Sequence, residues 1–327
     1  MRIAFISSFT IREHNLEELR MCINSFKKYN SIKVDWYITT DLPDLAHYFF
    51  KDFKSNTINL IFRGFKPHNN FYFDRLSNQH IDNNELEITC DDKLTYWQFF
   101  SGCSNKTLTA IDICDNYDMI AYIDTDLIFY HNMYTHILTF FRSSNDVFAL
   151  QGDLRHIDEN NNFHKIITPN AGFCWIKCTE KNKNKLKNYE AYLSNIPNNY
   201  YNYKSMCFDE ISILEMNFKI MYATNNVVSH HQTIKIDLSK LPCCFHYRMN
   251  TLEVLKHTDN KFYTEQLIQI FLIYQSSKQY NEPKILNYIL NHTKYIIENH
   301  RKEIQYLKDF IKLEGCKEFW DKQLALL

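Results

Sequence analysis

Residues 119–129 read Met119-Ile120-Ala121-Tyr122-Ile123-Asp124-Thr125-Asp126-Leu127-Ile128-Phe129. Five mostly apolar residues of strand type run straight into two carboxylates one residue apart, and a second apolar run follows at once. Burying an unpaired carboxylate is costly enough that the group shifts its pKa or finds a partner. Two acids where a buried strand ends therefore call for a cation. That carboxyl edge is also where open α/β sheets bind ligands. Oxygen ligands on a short connection suit Mg²⁺ or Mn²⁺, which keep several waters and bind through one or two carboxylates plus substrate phosphates. A solvated turn could carry the same tripeptide, so the surrounding chain has to decide.

Upstream, Ile3 to Ile6 is an apolar run closed by Ser7-Ser8-Phe9-Thr10, small hydroxyl residues that permit close approach of a ligand. Leu16, Leu19, Ile23 and Phe26 recur at helical spacing, with Asn15 as the expected N-cap. Val34 to Ile38 forms the next strand, closed by Thr39-Thr40-Asp41. Pro43 opens a short helix, and Ile58 to Phe62 is a third strand. Strands alternating with helices predict parallel pairing and a sheet covered on both faces. From Phe65 to Cys90 the period fails, and a long irregular segment inside a domain is usually functional or mobile. Helical character returns after Asp92 and carries Lys106.

Downstream, the pattern predicts a helix over Met133–Phe141, a strand over Val147–Leu150 and a polar loop over Gly152–Asn162. A strand beginning Asn170-Ala171-Gly172 and reaching Ile176 follows, with its smallest side chains where something must come close. A lysine-rich helix is expected from Glu180 to Ser194. Phe208-Asp209-Glu210 opens another with two acids in its first turn, where the dipole favours them. Late strands are expected at Lys219–Ala223 and Val227–Ile236, the second carrying His230-His231, and Phe245-His246-Tyr247-Arg248 comes next. Beyond about Leu252 the period is helical to the end. The expected organisation is an α/β domain over 1–250 and a helical region over 251–327 packed on it.

Composition bounds the function. In 327 residues, 45% are hydrophobic and only 5 are Gly and 6 Pro, which argues against disorder. A net charge of −1 gives no basis for nucleic-acid binding. The 10 cysteines are scattered without a Cys-x-x-Cys, so reduced thiols and a cytoplasmic setting are expected. Met1 to Ile6 already reads as a strand rather than a cleaved signal, and no apolar run approaches the ~18 residues of a membrane span.

Taken together, this ordering resembles the GT-A glycosyltransferases, nearest the retaining family-8-like and nucleotide-diphospho-sugar transferase groups. The residues that carry the resemblance are an early βαβ region, Lys106 ahead of an apolar strand ending in Asp124-Thr125-Asp126, Asn170-Ala171-Gly172, the acids at Asp209-Glu210 and a late histidine. It covers roughly Met1 to Asn250. It implies a Rossmann-like α/β fold with a mostly parallel central sheet, helices on both faces and a C-terminal helical appendage. It also implies transfer of a sugar, with retention, from a nucleotide-diphosphate sugar, a UDP-sugar foremost, to a glycan, lipid-linked or protein acceptor. Asp124 and Asp126 would hold Mn²⁺ or Mg²⁺, with His246 as a further ligand, or His230 or His231 in its place. Lys106 would reach a donor phosphate or ribose. Ser7, Ser8, Thr10, Thr40, Asp41 and Thr125 would line the nucleotide, and Gly172 and Asn170 the donor sugar. Asp209 and Glu210 would stand near the reacting carbon. A membrane-borne acceptor would be met peripherally.

Other classes stay open. A catalytically idle glycan- or nucleotide-binding module would keep the fold without turnover. A nucleotidyltransferase would normally show a Gly-rich phosphate loop where this chain has Ser7-Ser8-Phe9-Thr10. An Asp-x-Asp-x-Thr phosphotransferase lacks its threonine here, since Leu127-Ile128 follows Asp126.

Overall fold

The computed structural model describes residues 1–12, 14–66, 93–157, 163–189, 208–230, 241–247 and 264–326, with side chains except at 93–101, 153–157, 163–166, 208, 209, 211, 230 and 265. Ile3–Phe9 (β1) leads through Asn15–Tyr29 (α1) to Val34–Thr40 (β2), and Pro43–Phe49 (α2) leads to Ile58–Gly64 (β3). Lys93–Ile113 (α3) precedes Met119–Ile123 (β4). These four strands are parallel neighbours in the order β3-β2-β1-β4. Every residue of β1 and β4 is buried, as continuous apolar strands of a doubly covered sheet must be. Pro43 occupies the first turn of α2, where its missing N–H costs nothing. Asn15 is a correction: His14 holds the cap position of α1, and Asn15 is the first helical residue, its side chain accepting from the Arg12 amide at 3.0 Å.

After β4 come Leu127–Phe129 (β5), Tyr134–Arg142 (α4), Val147–Ile157 (β6) and Phe163–Lys177 (β7), then Glu180–Lys187 (α5), Phe208–Glu215 (α6), Ile220–Tyr222 (β8), Val228–His230 (β9) and Cys244–His246 (β10). Thr264–Gln279 (α7), Pro283–Leu307 (α8) and Cys316–Leu326 (α9) close the chain. The large sheet has seven strands, β3-β2-β1-β4-β7-β6-β8, with β7 antiparallel to β4 and β6, and β8 parallel to β6.

Three expectations fail here. The polar stretch after Gly152 is not a loop from its start, because β6 runs on to Ile157, paired residue by residue with β7 as far as Phe163. For the same reason Asn170 lies inside β7 instead of beginning it. Antiparallel pairing satisfies that backbone without an apolar pattern to announce it. The lysine-rich helix also ends early, at Lys187. Most of the irregular Phe65–Cys90 segment, His231, Arg248 and residues 251–263 lie outside the described residues.

By contact the chain forms two compact units. The first is Met1–Ile11, Ile32–Asp124 and His136–Ala223. Its sheet packs Ala4, Ile6, Tyr122, Cys174 and Ile176 with Ala110 and Ile113 of α3, Ile213 of α6 and Met216 just after it. The alternate residues Phe5, Trp36 and Trp175 meet edge to face at about 5 Å, as a period of two requires.

The second unit is Arg12–Ser31, Thr125–Thr135 and Thr224–Leu327. Here β10 lies between β5 and β9 in a three-stranded sheet. Met21 of α1, Ile128, Phe245 and Tyr247 share a core with Leu267, Phe271, Ile285 and Trp320 of the late helices. α1 is tied to β5 by the Ser25 hydroxyl, which accepts from the Phe129 amide at 3.0 Å. It is tied to the late helices by an Arg20–Glu282 ion pair and by Glu17, whose carboxylate accepts from the Lys284 and Ile285 amides at the start of α8. Those amides have no partner inside the helix, and a carboxylate also suits the positive end of its dipole. Among the described residues no helix is long and apolar enough to cross a membrane.

Candidate functional site

In the first unit the end of β4 is held from both sides. The Ser7 hydroxyl donates to the Ile123 carbonyl at 2.6 Å and accepts from the Trp36 indole at 2.9 Å. The Asp124 amide donates to the Gly172 carbonyl of β7 at 2.9 Å. Lys106, only 4% exposed on α3, pairs its ammonium with the Asp124 carboxylate and stands 3.4 Å from the Ala171 carbonyl. A buried ammonium is tolerated because it is paired. The Asp124 side chain keeps 30% of its surface exposed, so it has room for a further partner.

The chain enters the second unit at Thr125, whose hydroxyl lies 3.4 Å from the Glu18 carboxylate. The Asp126 carbonyl accepts from the Tyr247 amide at 3.0 Å, continuing the antiparallel pairing of β5 with β10. That pairing sets the His246 ring beside the Asp126 carboxylate, Nε2 to Oδ1 3.0 Å. His246 is buried and the Asp126 side chain is 19% exposed. Burial pushes the neighbouring Tyr247 phenol well up, with the negative charge of Glu18 and Asp126 adding to it. His230 is the backbone partner of His246 across β9 and β10. Among the three candidate histidines, the described side-chain contact with Asp126 belongs to His246. A donor set of carboxylate oxygens and an imidazole nitrogen fits a divalent ion of the Mn²⁺ type.

Back in the first unit, β7 carries a bulge. Ala149 of β6 pairs with Cys174 and Leu150 with Asn170, so residues 171–173 have no partner on β6. The Asn170 carbonyl oxygen of the side chain accepts from the Gly172 amide at 2.9 Å, and its NH₂ donates to Glu210 at 2.8 Å. Glu210, 6% exposed in the first turn of α6, also accepts from the Thr168 hydroxyl at 3.1 Å and the Ala171 amide at 3.4 Å. Asp209 lies in the same turn.

Lys106, Asp124, Gly172, Asn170 and Glu210 are thereby joined in one network. The proposed nucleotide-lining residues form another group at the ends of β1 and β2. Asp41 accepts from the Thr40 hydroxyl at 2.9 Å and the Ile11 amide at 2.8 Å, which closes that turn. Thr10 is buried, and the buried Ser8 hydroxyl has no hydrogen-bond partner among the described residues. Ser7 sits deeper, committed to Ile123 and Trp36. Two participants escaped the sequence reading. Thr168 carries no local signal. Gly152 does carry one, a glycine in a strand: a Cβ there would stand 2.9 Å from the Thr168 hydroxyl and 3.2 Å from the Glu210 carboxylate.

No protein-family model matches the chain. No curated protein sequence matches it either. Among solved structures, mouse xyloside xylosyltransferase 1 in its apo form is similar at 11% identity and a TM-score of 0.45, over 76% of this chain and 98% of that one. The glycosyltransferase GlyE of Streptococcus pneumoniae TIGR4 is similar at 15% identity and 0.44, over 76% of this chain and 55% of that one. Core-mannan synthase A of Aspergillus fumigatus in its Mn/GDP form is similar at 10% identity and 0.45, over 68% and 72%.

Proposed function

We propose that this chain is a metal-dependent glycosyltransferase that takes a sugar from a nucleotide-diphosphate sugar, a UDP-sugar foremost, and transfers it with retention to a glycan, lipid-linked or protein acceptor. The observation that carries the reading is the contact between Asp126 and His246, 120 residues apart in sequence, with Asp124 two residues upstream on the same connection. Asp124, Asp126 and His246 are the groups that would hold Mn²⁺ or Mg²⁺. Bound there, the ion would act as a Lewis acid on the departing diphosphate.

The chain's own residues supply the rest. Lys106 places a positive charge beside Asp124, suited to a phosphate oxygen. The Ser8 hydroxyl, at the carboxyl end of β1 and without a hydrogen-bond partner among the described residues, offers a donor to the nucleotide. Asn170 and Gly172 would face the donor sugar, and Asp209 would steady the cationic ring that forms as the sugar–phosphate bond breaks.

The test is nucleotide release from UDP-, GDP- and CMP-linked sugars with Mn²⁺, beside a Mn²⁺-dependent thermal shift. Asp124→Asn and Asp126→Asn should each abolish turnover while leaving the fold. Either variant retaining near-wild-type turnover at saturating donor and metal would overturn the metal assignment. Tight saccharide binding by a wild-type chain without turnover would favour the idle module.

A further inference from the structure

We infer that Glu210 is the positioning residue of Asn170, and through it of Asp124, and does not itself meet the donor. This deepens the reading above and rests on it for its activity readout only. The argument starts from exposure. A carboxylate that steadies a sugar cation or orients an acceptor hydroxyl must present an oxygen to the ligand, and Glu210 is 6% exposed with both oxygens engaged. Oε1 accepts from Asn170 and the Ala171 amide, and Oε2 from Thr168. An ionised carboxylate only accepts, so it selects which end of the Asn170 amide faces it. It takes the NH₂ end, leaving the Asn170 oxygen to receive the Gly172 amide at 2.9 Å.

The Gly172 carbonyl then accepts from the Asp124 amide at 2.9 Å. A continuous line of hydrogen bonds thus runs from the first turn of α6, through the bulge of β7, to the first acid of Asp124-Thr125-Asp126. The bulge frees residues 171–173 from the β6 ladder, so on that side these side-chain bonds hold them, while Phe173 and the Gly172 carbonyl keep their pairing with β4. Gly152 belongs to the same arrangement, since any side chain there would press on Thr168 and Glu210.

Two isosteric changes separate a positioning role from a reacting one. In Asn170→Asp, two acceptors face each other where one hydrogen bond stood. The melting temperature should fall, Mn²⁺ should bind about tenfold more weakly, in the range found when partners behind metal ligands are removed, and kcat should drop. Adding Glu210→Gln to that variant should reverse the damage. The introduced amide turns its NH₂ toward the introduced carboxylate and its oxygen toward the Thr168 hydroxyl, which restores the line with the two chemical types exchanged and gives up only the long 3.4 Å bond from the Ala171 amide.

The measurements are the melting temperature, a Mn²⁺ titration by calorimetry and kcat, for wild type, both single variants and the double. Recovery of melting temperature and Mn²⁺ affinity in the double variant, with kcat above that of Asn170→Asp alone, supports the assignment. A double variant worse than Asn170→Asp overturns it, because the loss of a reacting carboxylate would add to the damage. Should the wild type bind no Mn²⁺ and turn over no donor, the proposed function fails, while recovery or loss of the melting temperature still decides the role of Glu210.

Discussion

Replacing Arg20 with Met should remove about 3 kcal/mol of stability near neutral pH. The guanidinium gives Glu282 three hydrogen bonds, at 2.8, 3.1 and 2.6 Å, and the Glu282 side chain is fully buried. Removing one partner of such a pair leaves an uncompensated buried charge, which typically costs about 3–5 kcal/mol. The Arg20 side chain is 31% exposed, so solvent screening moves the expected value to about 3 kcal/mol, the lower end of that range. Met keeps most of the aliphatic stem, so lost packing adds little. The pH dependence follows from Glu282, whose carboxyl is raised above the ordinary value of 4.5 by burial, with Arg20 opposing. A carboxyl raised in the folded state contributes stability below its unfolded pKa and loses it as pH rises through the folded pKa. Without Arg20 the opposition is gone, so the deficit against wild type should widen from about pH 4.5 upward and narrow below it. Urea unfolding at pH 4.5 and pH 7 reads both quantities. Arg20→Met with Glu282→Met should recover at least half the loss, since an apolar pair replaces an ionic one at little cost. A deficit under about 1 kcal/mol at pH 7, or one equal at both pH values, would refute the assignment of a desolvated pair.

Two further outcomes follow from the first unit. Gly152→Ala should cost about 1–3 kcal/mol by calorimetry, because its Cβ would stand 2.9 Å from the Thr168 hydroxyl and force one of the strands or Glu210 to move. Lys106→Met removes a cation from Asp124, so Mn²⁺ should bind several-fold tighter and UDP weaker. Unchanged affinities for both would remove Lys106 from the site.

The parallel half of the large sheet was legible because its strands are buried on both faces and read as unbroken apolar runs. Met119 to Ile123 is the clearest case. Pro43 marked its helix for an equally local reason. The extension of β6 past Gly152 was not legible, since its hydrogen bonds come from a partner strand and polar residues satisfy them as well as apolar ones. The contact of His246 with Asp126 left no local trace either. It is set by the pairing of two three-residue strands far apart in the chain. Glu210 was found as an acid at a helix start, but its burial against Thr168 and Asn170 depends on the β7 bulge, which leaves no trace in local composition.

That bulge bears on how this chain tolerates change in length. Along a regular ladder, adding or deleting one residue turns every later side chain to the opposite side. Residues 171–173 are the surplus that lets Asn170 and Cys174 keep consecutive partners, Leu150 and Ala149. A deletion scan through β7 should therefore find its most damaging position not at a bulky core residue but at Ala171 or Gly172, where shortening the arc by a single step withdraws the Gly172 carbonyl from Asp124.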